Sequence, residues 1–142
     1  FSGSTAALTA RLKKLKVWRD AAHVEDGSGL SRGNRVTAEM LAVAWRTAVT
    51  TARLQPLLTA TPVASVSGTL LGRFQAEHTE AGRGRVHAKT GTLTGVSSLS
   101  GWTTTASGRS LIVVFLVNDS TNDWMARVWI DQAASAVSGC GC

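Results

Sequence analysis

The sequence predicts a mixed fold of the α/β (α+β) class, in which helices come first, three antiparallel strands follow and a last helix packs on the sheet. Apolar residues recur at helical spacing in the first half, whereas residues 86 to 118 are rich in Val, Thr, Ser and Leu with glycine-bearing breaks. A loop dense in helix-capping residues then precedes a final stretch of helical periodicity. Helices and strands segregated in this way are typical of a layered mixed domain.

Two helices and a loop are predicted in the first half of the chain. Residues 3 to 17 form an amphipathic helix. Its apolar stripe is Leu8, Leu12 and Leu15. Residues 25 to 34, with glycines among short polar side chains, have the composition of a loop. Thr37 is predicted to cap the second helix. The apolar side of that helix is predicted to be Leu41, Ala44, Trp45 and Ala48.

Prolines and glycines punctuate the segment that leads into the strands. Pro56 and Pro62 separate short helices, the later one near residues 68 to 76, and a polar loop follows at 77 to 84. The strands are predicted at residues 86–92, 96–105 and 110–118, with a tight turn at 106–109 between the last two.

The last strand and the last helix are predicted to be well buried. Residues 111 to 117 are apolar at every position, so both faces of this strand are expected to be covered. The final helix is predicted to run to about Val137. Its buried stripe is predicted to be Met125, Trp129, Ala133 and Ala136, with Val128 beside it.

Composition excludes several classes of protein. The 142 residues suit one domain or a large piece of one, and no apolar run approaches the roughly 18 residues of a membrane helix. The chain begins at Phe1 without a basic and apolar leader, which indicates an internal fragment or a removed leader. Cys140 and Cys142 form a Cys-Gly-Cys tail, as a strained disulfide loop or as two thiols, and no metal or cofactor is predicted.

The formal net charge of +6 includes one basic cluster, Arg11, Lys13, Lys14 and Lys16. Such a cluster permits binding to nucleic acid, anionic lipid or an anionic wall polymer, although a solvated helix face is the simpler interpretation. Aromatic residues do not interleave with these cations as single-strand recognition requires, so no nucleic-acid partner is predicted.

The tripeptide Lys89-Thr90-Gly91 lies in the first predicted strand and carries the chemistry of the chain. An ammonium group at Lys89 suits a substrate carboxylate and a proton relay, and the Thr90 hydroxyl can donate to the same carboxylate. Gly91 lets a substrate backbone lie against the strand edge. The backbone amide of Thr92 can face a developing oxyanion. The same tripeptide accompanies Ser-x-x-Lys and Ser-Asp-Asn in β-lactamases and penicillin-binding proteins.

Four blocks of this chain, in order, resemble the class C low-molecular-mass penicillin-binding proteins, which are D-alanyl-D-alanine carboxypeptidase/endopeptidases. The blocks are residues 26–37 (DGSGLSRGNRVT), 62–70 (PVASVSGTL), 86–96 (VHAKTGTLTGV) and 101–109 (GWTTTASGR). Glu25 and Ala64 depart from the family pattern. The resemblance implies a penicillin-binding/β-lactamase-like transpeptidase domain, of which residues 1–142 are the C-terminal portion.

The resemblance also implies a reaction and its residues. A serine attacks the D-Ala-D-Ala bond, D-alanine leaves, and water frees the acyl-enzyme; β-lactams mimic the dipeptide. Lys89, Thr90 and Gly91 match the third catalytic motif, and Thr92 supplies the oxyanion amide. Arg32 matches a position that meets a carboxylate on the peptide's diamino-acid side chain, with Leu93 and Thr94 lining that pocket. The alternative for Arg32 is a loop residue paired with Asp26 or Glu25.

The nucleophile is not in this chain, since no serine stands three residues before any lysine. Ser120-Thr121-Asn122 follows Lys-Thr-Gly instead of preceding it and is interpreted as a helix cap. The expected partners are therefore an N-terminal segment with Ser-x-x-Lys and Ser-x-Asn, a peptidoglycan peptide and β-lactams, at an extracytoplasmic location. The chain alone is expected to be inert. The alternative is a non-catalytic peptidoglycan-binding or regulatory fragment.

Two further features have a structural interpretation. A Ser-His-Asp hydrolase using His87 and Asp26 is disfavoured because no nucleophile elbow is present. His87 is instead expected to face solvent on its strand. The tryptophans are expected to pack in the core rather than to stack on sugars.

Overall fold

The computed structural model describes residues 2–141, except the side chain of Ser2. It has four α-helices, α1 (Ser2–Lys14), α2 (Ala38–Thr50), α3 (Gln55–Thr59) and α4 (Asp123–Gly139). Three strands precede the last helix, β1 (Val86–Leu93), β2 (Val96–Thr104) and β3 (Ser110–Val117). Short 3₁₀ turns lie at Ala52–Leu54, Gly68–Leu70 and Glu80–Gly82. The predicted order of helices, antiparallel strands and a final helix is confirmed.

The two long helices of the first half meet in a small core of their own. Helix α1 ends earlier than predicted because Lys16 adopts a left-handed conformation (φ 57°), which turns Val17 back toward the helix. Val17 is buried with Ala22 and Met40, and Leu12 and Leu15 of the predicted stripe pack against them. The Thr37 cap is confirmed, since its hydroxyl accepts the N–H of Met40 at 3.0 Å.

The helix predicted near residues 68 to 76 is wrong. Only the 3₁₀ turn Gly68–Leu70 forms, and Phe74 has a left-handed backbone (φ 62°) although it is fully buried. This conformation lets the Phe74 N–H donate to the Asp131 carboxylate at 3.0 Å. Arg73 forms a two-pronged ion pair with the same carboxylate, with Nη2 2.7 Å from Oδ1 and Nε 2.9 Å from Oδ2. The segment is therefore held by α4 rather than by its own helical bonds.

The strands form one antiparallel sheet in the order β1-β2-β3, with β2 in the centre. Helix α4 covers one face, where Val86, Ala88 and Leu99 pack with Ile130 and Ala134. Helix α2 lies on the other face, against β2 and β3. The prediction that β3 is covered on both faces is confirmed only in part, because Val113 is its one buried residue in the described sheet and the rest of this edge strand is half-buried or exposed.

The predicted buried stripe of α4 is wrong by one position. Met125 and Trp129 are 51% and 55% exposed, whereas Ala126, Ile130 and Ala134 are buried. Asp131, Ser135 and Ser138 are buried beside them and bond to Arg73, the Thr79 carbonyl and the Thr103 hydroxyl. Small and hydrogen-bonded polar residues thus let α4 approach the sheet closely, and two large apolar residues point outward. In the part of the chain described, no helix has the length and apolar character needed to cross a membrane.

Candidate active site

Strand β1 changes character between Ala88 and Lys89. On its outer edge the Val86 carbonyl accepts the Ala64 N–H at 2.9 Å, and the Ala88 N–H donates to the Pro62 carbonyl at 3.0 Å. Within the described residues this pairing ends there, and β1 is the edge strand of the sheet. Alternate residues of an antiparallel strand direct their backbone groups to the same side. The N–H groups of Thr90 and Thr92 therefore point to the open part of this edge.

The side chains of Lys89 and Thr90 lie at this open edge. Lys89 is exposed, and its ammonium group donates to the outward carbonyl of Thr90 at 2.6 Å. The Thr90 hydroxyl donates to the hydroxyl of Thr69 at 3.1 Å, which joins the strand to the 3₁₀ turn Gly68–Leu70. A cation, a hydroxyl and outward amides thus meet at one sheet edge, a set that suits a carboxylate next to a developing oxyanion.

The absence of a side chain at Gly91 has a structural reason that the sequence did not reveal. A Cβ at this position would collide with the Ser98 hydroxyl oxygen, which comes from the paired residue on β2. The missing side chain therefore makes room for Ser98 on the face that also carries Lys89. Thr92, the residue after Gly91, whose backbone N–H is the predicted oxyanion donor, is exposed.

The loop that carries Arg32 is built around one carboxylate. Asp26 accepts hydrogen bonds from the Ser28 hydroxyl, from the side-chain amide of Asn34 and from backbone N–H groups of the loop. The bonds from Ser28 and Asn34 are the main reason why the pKa of Asp26 falls to about 2. An ionised Asp26 thus organises the loop from within.

Arg32 reaches from this loop to the end of β1. Its Nη2 donates to the carbonyl of Thr94 at 2.8 Å, which places Arg32 next to the residue that follows Leu93 in the chain. The alternative pairing with Asp26 or Glu25 does not form: Asp26 holds the loop, and Glu25 bonds to the Ser31 hydroxyl and lies 3.7 Å from His23 Nε2. Among the described side chains, neither Lys89 nor Arg32 takes part in an ion pair. Both cations therefore remain available to an anionic ligand.

The expectation that His87 faces solvent is wrong. Its ring is half-buried and stacks on Trp102, its partner on β2, with ring centroids 4.9 Å apart and an angle of 12°. Trp102 in turn meets Trp45 of α2 edge to face at 5.5 Å. Burial lowers the pKa of His87. Trp45 and Trp102 are half-buried and pack against each other, whereas the expectation of core packing is wrong for Trp124 and Trp129, which are mostly exposed.

Two minor sequence interpretations are also settled. The Ser120–Asn122 segment is a helix cap, since the Asn122 side-chain carbonyl accepts the N–H of Met125 at 3.0 Å. Cys140 is disulfide-bonded, and Cys142 lies outside the described residues. Sequence reasoning missed Thr69 and Ser98 as neighbours of Lys-Thr-Gly. Thr69 stands in one of the four quoted blocks, but only the fold shows that it meets Thr90.

Comparison with known proteins shows the family to which the chain belongs. The chain is 39% identical to Carboxypeptidase Rv3627c of Mycobacterium tuberculosis and 37% identical to Carboxypeptidase DacB of Mycolicibacterium smegmatis, over its whole length and 31% of theirs. The structure matches penicillin binding protein 4 (dacB) of Haemophilus influenzae, solved in complex with a β-lactam, with a TM-score of 0.76 and 31% identity over 91% of this chain and 31% of that one. The chain thus spans about a third of the length of these relatives. A family model matches residues 1–137, and the chain belongs to the D-Ala-D-Ala carboxypeptidase 3 (S13) family.

Proposed function

We propose that this chain is the substrate-binding part of a serine-type D-alanyl-D-alanine carboxypeptidase/endopeptidase that acts on peptidoglycan peptides and is acylated by β-lactams. The observation that carries the proposal is the open half of β1. There the Lys89 ammonium and the Thr90 hydroxyl lie beside outward backbone amides, at an edge to which a peptide can add as a strand.

The groups at this edge fit the ends of a D-Ala-D-Ala substrate. Lys89 and Thr90 bind the terminal carboxylate by charge-assisted hydrogen bonds. The backbone N–H of Thr92 then faces the scissile carbonyl oxygen and stabilises the negative charge that develops when a serine attacks. Removal of one such donor costs about 10² to 10³ in rate in a well-studied protease. Lys89 also takes part in the proton relay around the serine.

Arg32 is proposed to bind a second carboxylate on the diamino-acid side chain of the peptide. The loop held by Asp26 places the guanidinium at the end of β1, beside Leu93 and Thr94. A guanidinium with further N–H groups directed at solvent can accept a carboxylate in a two-pronged geometry. Two cations along one strand would thus recognise a peptide with two acidic ends.

The serine, together with the Ser-x-x-Lys and Ser-x-Asn motifs, is proposed to come from an N-terminal segment that lies beside the open edge. The relatives, of which this chain spans about a third, have ample length for such a segment. Because peptidoglycan peptides lie outside the cytoplasm, the site is proposed to work at an extracytoplasmic location. Residues 1–142 alone are expected to be catalytically inert.

A labelled β-lactam tests the proposal. The full protein that carries both segments should form a stable covalent adduct and release D-alanine from a D-Ala-D-Ala peptide, whereas residues 1–142 alone should do neither. A full protein that binds peptidoglycan peptides without acylation or D-alanine release would favour the alternative of a non-catalytic binding module.

A further inference from the structure

His87 is a half-buried titratable side chain for which the proposed reaction has no role. Its backbone pairs with Val63 on the outer edge of β1 and with Trp102 on the inner edge. Its ring stacks on Trp102 at 4.9 Å, and Trp102 rests edge-on against Trp45 of α2 at 5.5 Å. The column Trp45–Trp102–His87 therefore runs from α2 across the sheet to β1.

The column ends next to the cation of the proposed site. Side chains alternate along a strand, so Lys89 is the next residue after His87 on the same face, roughly 7 Å further along. The pairing of the outer edge stops at Ala88, and the bare Gly101 lets the β1 backbone at residues 87 and 88 approach β2 closely. Lys89 is thus the first residue beyond a tightly held segment, and the course of that segment determines the direction of its side chain.

We propose that His87 is a positioning residue for Lys89. Its ring, held on Trp102, fixes the last part of β1 that is paired along both edges and thereby directs the ammonium group to the open edge. The inference rests on the proposed function, because it assigns His87 to the terminal-carboxylate subsite. Burial favours the neutral form of the ring by lowering the pKa of His87.

The charges around the ring agree with a neutral state. On its own strand His87 is followed by the cation Lys89, and β2 presents Trp102 and the uncharged Ser100. From α2 come Trp45 and Arg46, which lines a cavity together with Trp102. Lys89 and Arg46 are both cations, so a proton on His87 would add electrostatic repulsion beside Lys89.

Equilibrium binding to the full protein tests the inference without requiring turnover. We expect calorimetry to show that the wild-type protein prefers acetylated D-alanyl-D-alanine over its C-terminal amide. His87→Ala should reduce this preference about tenfold, because a misdirected ammonium loses its charge-assisted bond. His87→Phe, which can still stack, should keep it. Should His87→Ala fail to fold, His87→Gln, which cannot stack as a ring, carries the same expectation.

A destabilised control and a pH series separate positioning from general stability. Met40→Ala removes buried atoms from the other core cluster and should keep the acid preference despite a lower melting temperature. In the wild type the preference should decline as the pH falls through the lowered pKa of His87, and in His87→Phe it should not. An unchanged preference in His87→Ala or His87→Gln, or no acid preference in the wild type, overturns the inference. A clear preference without acylation overturns the proposed function and leaves the role of His87 standing.

Discussion

The two halves of β1 differ in almost every physical respect although they are one strand. Val86 and Ala88 are fully buried and paired along both edges, and Gly101 allows close contact from β2. Lys89 and Thr92 are exposed, and their half of the strand has a free edge. The comparison teaches that anchoring and chemistry are separated within a few residues. Substitutions in the first half should therefore change stability, and those in the second half should change activity.

The largest effect on activity is expected for Lys89→Ala in the full protein. In the proposed mechanism, loss of the ammonium removes both the carboxylate bond and the proton relay, so we expect β-lactam acylation to slow by about 10³-fold. The free energy of unfolding should change by less than about 0.5 kcal/mol, since the side chain is exposed. Stopped-flow acylation and urea unfolding measure the two quantities.

Lys14→Ala is the matched control for an exposed lysine, because Lys14 lies on α1. It should leave both acylation and stability unchanged. Near-normal acylation of the Lys89→Ala variant would show that Lys89 has no part in the mechanism. It would also contradict the assignment of activity to the open half of β1.

Gly101→Ala tests the half of β1 that is paired along both edges. A Cβ here would lie 2.6 Å from the Ala88 Cα, so β1 and β2 must separate. We expect a loss of about 1–3 kcal/mol in the free energy of unfolding. Gly72→Ala, where nothing lies within 4 Å of the added Cβ, is the control and should be neutral. Equal stability of the two variants would show that β1 and β2 do not need close contact at Gly101.

Arg32→Ala probes the far end of the open half. We expect about a tenfold loss of catalytic efficiency for peptides with a side-chain carboxylate, the value of one charge-assisted contact. Simple β-lactams, which lack that group, should be little affected. Steady-state kinetics with matched acid and amide peptides make the comparison, and Arg53→Ala is the control. An equal loss with both peptides would place Arg32 outside the specificity pocket.

The smallest effect is expected from the titration of Asp26. Its pKa in the folded loop is about 2, below its ordinary value of 3.8, so its stabilising contribution is present above pH 3.8 and is lost as the pH falls through about 2. Asp26→Asn should flatten this part of the acid unfolding curve, and Asp20→Asn should not. Tryptophan fluorescence during acid titration is a suitable measurement. Identical curves for wild type and Asp26→Asn would contradict the role of Asp26 in the loop.

Local rules predicted the elements of this fold well where one residue decides the outcome. Thr37 caps α2 and Asn122 caps α4, because a short polar side chain just before a stretch of helical periodicity can accept a backbone N–H of the first turn. The strand bounds agree within about one residue, since Val, Thr and Ser runs were separated by glycines. A strand edge at Lys-Thr-Gly is predicted from the missing Cβ of Gly91, and β1 is an edge strand of the described sheet.

Local rules failed where a distant partner decides. The buried face of α4 is set by Asp131, whose partner Arg73 is far away in the sequence, and by serines that ordinary hydrophobic patterns place outside. The same carboxylate accepts the N–H of Phe74, whose left-handed backbone does not fit a helix. The contact of His87 with Trp102 depends on strand register, and that of Arg32 with Thr94 on loop geometry. No spacing in the sequence encodes either contact.

The apolar edge strand β3 has a practical consequence for handling the protein. Residues 111–117 (LIVVFLV) combine high β propensity with an absence of charge and proline, and β3 lies at the border of the described sheet. Such a border is a template on which identical strands from other molecules can add. Preparations of residues 1–142 alone should thus tend toward ordered aggregation, and co-expression with the proposed N-terminal segment is the prudent route to crystals and to assays.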